Sequence, residues 1–156
     1  MVGRLGVSNQ LQIGSGMMEA MVIKHADEWK ELVNLAKKSK LTADQAIFLL
    51  ALREVEDGEP HTAFNVKSVQ NTTLERQALW AIGSILENER RWQTYLLKNG
   101  WIDFLDFFIT KGGQYGTGWR LVERNMWVND MKYFIKLITK EMSDGLGRID
   151  YMGKQV

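Results

Sequence analysis

The chain has 156 residues and a net charge of +1 at pH 7, which is enough length for one domain with a real core and too little charge to argue for nucleic acid or an anionic membrane. It has no cysteine, which excludes a disulfide framework, a thiolate metal site and a cysteine nucleophile; its two histidines, His25 and His61, stand too far apart for a metal-ligand pattern. The balance of 45% hydrophobic to 25% charged residues is that of a soluble globular protein.

The opening residues M-V-G-R-L-G-V-S-N-Q are too polar for a signal peptide. Met1–Gly16 has glycines at 3, 6, 14 and 16 and no sustained period, so it reads as an N-terminal arm. From Met17 to Lys38, apolar residues at Met18, Met21, Val22, Trp29, Leu32, Val33 and Ala36 predict a helix with a break near His25–Asp27. Its methionine-rich start reads as core filling.

Thr42 and Gln45 have the spacing of a capping box, which predicts a helix over 43–57. From Ala46 to Leu52 it is apolar all round, as expected of a central helix wrapped by others. That run is far too short to span a bilayer, which takes about 20 apolar residues. Gly58 fits the C′ position that ends the helix, and Pro60 stands just beyond.

Glu59–Gln70 has no helical period, and Ala63–Lys67 fits either a short strand or an extended loop. Thr72 and Glu75 suggest a second capping box, followed by a long helix from Thr73 to about Lys98 that Asn99-Gly100 ends. Its stripe is Leu74, Ala78, Ala81, Ile82, Ile85, Leu86 and Trp92, while Glu87, Glu89, Arg90 and Arg91 form a solvated face. Trp101–Thr110 predicts a short buried helix with Trp101, Phe104 and Phe108 in the core. Lys111–Gly118 is a glycine-rich loop. A last helix is expected over 125–142 with Trp127, Met131, Phe134, Ile135 and Ile138 inward. The expected layout is an arm at 1–16, one helical domain at 17–142 and a tail at 143–156. The fold class is mainly α, with at most a small β element after Gly58.

Four carboxylates, Glu54, Glu56, Asp57 and Glu59, crowd the end of the helix over 43–57, where the macrodipole favours cations. A local rule broken in this way tends to mark function. Successive helix residues turn by about 100°, so Glu54 and Glu56 face nearly opposite ways. Glu56 continues the apolar row of Leu49 and Leu52. A carboxyl on such a row is desolvated, which favours its protonated form, and a protonated carboxyl can give its proton to a glycosidic oxygen. The alternative is a solvated helix end whose acids face water.

The loop K-G-G-Q-Y-G-T-G lacks the ending of a P-loop and follows no predicted strand. It fits the flexible wall of a cleft, with Tyr115 and Trp119 offering flat faces to a sugar, or else a plain connection between helices. His61 reads as a surface residue. No nucleophile elbow G-x-S-x-G is present. Lys37, Lys38 and Lys40, and Lys132, Lys136 and Lys140, read as solvated faces rather than a nucleic-acid patch.

The order of the pieces carries a resemblance. A helix ends in R-E-V-E-D-G, a segment A-F-N-V follows, and then come T-L-E-R-Q-A-L-W-A, a short aromatic helix, a glycine-rich loop and R-N-M-W-V-N-D-M-K-Y-F. Over Leu41 to Phe134 this resembles small phage-encoded proteins of the lysozyme-like superfamily, which includes lytic transglycosylases and virion-associated muramidases. The resemblance implies a lysozyme-like fold and cleavage of the β-1,4 bond between N-acetylmuramic acid and N-acetylglucosamine in peptidoglycan. Glu56-Asp57-Gly58 matches the family's acid-then-glycine pattern, which gives Glu56 the general-acid role. Phe64 and Asn65 fall in the cleft-lining segment, with Asn65 where glycine is usual. Trp127 takes the place of an aromatic residue that approaches the acid; as a tryptophan it would lack a hydroxyl contact. Phe64, Asn65, Tyr115, Trp119 and Trp127 are thus the expected substrate-binding residues.

A hydrolase needs a second carboxylate about 5 to 9.5 Å from the first, for which Glu123 and Asp130 are candidates. A lytic transglycosylase needs none, and the single clear acid leans toward it. No cofactor or metal is implied. The expected partners are peptidoglycan glycan strands, and other virion proteins through the terminal arms, with no nucleic acid and no membrane span. The implied location is the phage virion, or the host cytoplasm before release to the cell wall. The competing expectation is a non-catalytic virion structural or assembly protein that keeps the fold, with arms that order against neighbouring subunits.

Overall fold

A computed structural model describes residues 21–112 and 115–144. The expected arm at 1–16, the start of the first helix and most of the tail lie outside the described residues. Among the described residues there are five α-helices: α1 (Trp29–Lys38), α2 (Ala43–Glu56), α3 (Leu74–Asn99), α4 (Phe104–Lys111) and α5 (Leu121–Asp144). Short 3-10 turns occupy Ala26–Glu28, Pro60–Thr62 and Lys67–Val69. The fold is mainly helical, and no strand forms among the described residues.

The central helix is α2. Thr42 accepts from the Gln45 amide at 3.1 Å, and the Gln45 side chain accepts from the Thr42 amide at 2.9 Å, which completes the capping box. Every residue from Phe48 to Glu54 is buried, and α2 packs against α1, α3 and α5. One apolar cluster runs through all five helices, from Trp29 to Ile138. At roughly 25 cal/mol per Å² of apolar surface, this shared core is what holds short helices such as α1 and α4, which are marginal alone.

Several boundaries differ from expectation. Among the described residues the helix that ends at Lys38 starts at Trp29, after the expected break near His25–Asp27, where the amides of Lys24 and His25 bind the end of α2. The cap of α3 is Thr73, which accepts from the Arg76 amide at 3.1 Å, while the Thr72 hydroxyl donates to Val69 O at 2.5 Å. Gly100 ends α3 with φ 86° as expected. Trp101 is not core: it is 77% exposed, lying before the Asp103 cap of α4 with its ring in an edge contact with Trp92. The last helix begins at Leu121, one turn earlier than expected.

Gly58 is not the left-handed residue after α2. Asp57 takes that conformation, with φ 51°. Gly58 is required for another reason: a Cβ there would stand 2.2 Å from Thr62 O. The chain turns so tightly after the helix that only glycine fits.

Candidate active site

The carboxylates at the end of α2 divide into two groups with different work. Glu54 is buried. Its carboxylate accepts from the backbone amides of Lys24 at 2.8 Å and His25 at 3.1 Å. Asp57 accepts from Lys24 Nζ at 3.2 Å and pairs with His25 Nε2 at 2.7 Å. Both acids therefore bind the segment before α1, which removes the puzzle of acids at a helix C-terminus. Burial pushes the Glu54 carboxyl above its usual range, more than the Lys24 and His25 amides and the charges of His25 and Arg53 pull it down. Burial also pushes Asp57 up, but the hydrogen bonds and charges of His25 and Lys24 together outweigh it and hold Asp57 low.

Arg53, on the same turn, is 1% exposed. Its guanidinium meets Glu28 at 2.6 and 3.1 Å, and donates to Gly58 O at 2.8 Å and Ala63 O at 3.1 Å. A buried charge survives only when paired and fully hydrogen-bonded, and this one ties α2 to the turn before α1 and to the loop after Gly58.

Glu56 faces elsewhere and is half-buried. Asn65 Nδ2 donates to its Oε1 at 3.0 Å and to its main-chain oxygen at 2.9 Å. Trp127 Nε1 donates to Oε2 at 3.3 Å. The two carboxylate oxygens are thus held by donors from two other parts of the chain. Asn65 has φ 54°, a left-handed conformation that asparagine tolerates and glycine favours. It therefore supplies the backbone shape a glycine would give, and a side-chain contact to the acid besides. Trp127, expected to make no hydroxyl contact to the acid, reaches it through its indole N–H.

The other expected site residues are mostly buried. Phe64 is 0% exposed, Trp127 3% and Tyr115 6%. Tyr115 is not a flat wall for a sugar. Its ring stacks on Phe108 at 5.6 Å and its hydroxyl donates to Phe64 O at 2.9 Å. Burial, and next the charge of Glu56, push that hydroxyl well above its ordinary pKa, so it remains a donor. Phe108 also lies parallel to Trp127 at 5.8 Å and 3°, so one stack of rings positions both the indole and the tyrosine. Phe64 is buried and Asn65 exposed where the chain turns, with Asn65 at φ 54°. Asn65 is exposed and Trp119 is half-buried, and these two, with Glu56, are the expected residues that reach the surface. Glu123 caps the start of α5, accepting from the Arg120 amide at 2.7 Å, and Asp130 is half-buried one turn past Trp127.

One residue that positions the site was not anticipated. Gln77 is fully buried and uses its whole amide on the loop that carries Asn65. It accepts from the amides of Phe64 at 2.9 Å and Val66 at 3.2 Å, and donates to Val66 O at 3.2 Å and Val69 O at 3.0 Å. A loop with no strand partner must satisfy its buried backbone somehow, and here one side chain does it. The signal was a glutamine on the apolar stripe, three residues after Leu74 and four before Ala81.

Among the described residues no cluster of acids and histidines could hold a metal, and no helix is long and apolar enough to cross a membrane. No protein-family model, characterised protein or solved structure matches the chain.

Proposed function

We propose that this protein is a peptidoglycan-cleaving glycosidase of the lysozyme-like kind, with Glu56 as the general acid. The observation that carries the reading is the placement of Glu56: of the carboxylates at the end of α2 it is the one turned to Asn65 and Trp127, while Glu54 and Asp57 bind Lys24 and His25. A half-buried carboxyl held by donors from a loop and a distant helix is oriented for proton transfer.

The form of the reaction we take is that of a lytic transglycosylase, which asks for one acid. Glu56 gives its proton to the glycosidic oxygen between muramic acid and glucosamine as the C1–O bond breaks. The resulting carboxylate then takes the proton of the muramoyl C6 hydroxyl as that oxygen closes on C1. The products are a 1,6-anhydro end and a free sugar hydroxyl, with no water consumed. Asn65 and Trp127 keep the carboxyl in place through both transfers.

Digestion of purified peptidoglycan by wild type and Glu56→Gln, with fragments read by mass spectrometry, tests the proposal. Anhydro ends that vanish in the variant support it. Reducing ends that vanish point to a hydrolase with the same acid. Cleavage that survives Glu56→Gln removes Glu56 from the role. A second reading, a non-catalytic virion structural protein, is favoured by the burial of Phe64, Tyr115 and Trp127; folded protein that releases no fragments would support it.

A further inference from the structure

A groove of about 560 Å³ lies between the outer face of α3 and the end of α4, lined by Leu79, Trp80, Gly83, Ser84, Glu87, Asn88 and Gly112. None of these residues belongs to the set around Glu56. The size is that of a small-ligand site, roughly 300–1,000 Å³.

Two features are unexplained by folding. Trp80 is 48% exposed and Leu79 beside it is 41% exposed, an apolar surface set in a hollow rather than scattered. Gly83 lies in the interior of α3, where glycine costs about 1 kcal/mol against alanine, yet a Cβ there would meet nothing within 4 Å. Packing does not demand this glycine; what it does is keep open the space one turn from the indole. The groove is also built stiffly. Asn88 Nδ2 donates to Ser84 O at 2.9 Å and to Ser84 Oγ at 3.2 Å. Arg91 donates to Asn88 Oδ1 at 2.6 Å, Lys111 O at 2.8 Å and Gly112 O at 3.4 Å, which pins the end of α4 to α3.

The chemistry of the lining selects the ligand. An indole has a flat apolar face beside a polar N–H, and a pyranose has an apolar face edged by hydroxyls. Ser84 Oγ accepts from Asn88 and keeps its own proton to donate. Glu87 stands in the wall, paired with Arg90 at 2.5 Å, and Arg91 is already occupied, so an anionic ligand would meet a carboxylate and no waiting cation. The fitting occupant is an uncharged sugar. We propose that the Trp80–Gly83 groove is a second glycan-holding site that takes N-acetylglucosamine units of the strand, apart from the muramoyl units that carry the peptide. This rests on the peptidoglycan reading above and adds a place where the strand is held away from the acid.

The probe is N-acetylchitotriose, titrated against the full chain by calorimetry. Wild type is compared with Trp80→Ala, Gly83→Leu, which fills the groove with a better helix former, and Glu56→Gln. The expected result is binding by wild type and Glu56→Gln, weakened about tenfold or more by loss of the tryptophan platform, and equally by Gly83→Leu. If wild type does not bind the trisaccharide, or binds no better than the two groove variants, the inference is overturned. Loss of cleavage in Glu56→Gln with unchanged binding by the groove variants would sink the groove and keep the enzyme. Groove-dependent binding with cleavage untouched by Glu56→Gln would do the reverse.

Discussion

Trp127 and Glu56 are 71 residues apart in the chain, and the indole N–H of one lies 3.3 Å from the carboxylate of the other. The contact joins the second turn of α5 to the end of α2. Because the indole also stacks on Phe108, its packing and its hydrogen bond can be separated. Trp127→Phe keeps an aromatic ring in the stack and removes the donor. A hydrogen bond to a charged group contributes about 1.5–3 kcal/mol, so glycan cleavage is expected to fall about tenfold or more. The melting temperature should move far less than in Trp127→Ala, and paired turnover and thermal-melt measurements check this.

Asn65 separates backbone shape from side-chain chemistry in the same way. With φ 54°, Asn65→Gly keeps the conformation and loses only the contacts to Glu56. Asn65→Ala loses the same contacts and adds a left-handed alanine, which costs about 1–2 kcal/mol. The alanine variant is expected to be less stable than the glycine variant by that amount in urea unfolding. Equal stability would mean that the local conformation is not the one described.

Gln77→Leu is expected to be among the most damaging single changes outside Glu56. It leaves the amides of Phe64 and Val66 without an acceptor, while Val66 O keeps the Val69 amide and Val69 O keeps the Thr72 hydroxyl. Each buried unpaired group costs about 1–3 kcal/mol, so a loss of about 2 kcal/mol or more is expected. Limited proteolysis should find new cleavage between residues 60 and 73.

The pH dependence of stability has two opposed parts at the end of α2. Asp57 is held low by His25 and Lys24 against its burial, so its contribution is present above the ordinary aspartate value and is lost as pH falls through the lowered one. Glu54 is raised by burial, so its contribution is full below the ordinary glutamate value and is lost as pH rises through the raised one. Asp57→Asn should therefore cost stability near neutrality and cost progressively less as the pH falls below about 4. Urea unfolding across that range checks the sign. A gap between wild type and variant that widens in acid would refute it.

Local features were legible in the sequence. The capping box placed α2, the apolar run marked it as central, and the odd charge at its end singled out the turn whose acids reach Lys24, His25, Asn65 and Trp127. What could not be read was where each acid's partner comes from. Lys24 and His25 lie about thirty residues from Glu54 and Asp57, and no period or spacing records that pairing. Two adjacent threonines, Thr72 and Thr73, each offer a cap, and only the Val69 carbonyl that takes the Thr72 hydroxyl decides between them. Tyr115 sits in a glycine-rich loop that looks solvent-facing, and its burial follows from Phe108 and the Phe64 carbonyl. In each case the deciding group belongs to another element, and single-sequence patterns carry no information about it.

Helix C-termini usually fray, because their last carbonyls lack partners within the helix. The last turn of α2 is placed differently. Arg53 holds Glu28 and the loop carbonyls, Glu54 and Asp57 hold residues 24 and 25, and Glu56 holds Asn65 and Trp127. That turn cannot open without releasing three distant stretches of chain together. Its amides should therefore exchange with solvent on the timescale of whole-domain unfolding rather than of a loose end. Glu56 is a fixed point of the molecule, so under the proposed function whatever moves has to be the sugar or the surrounding loops.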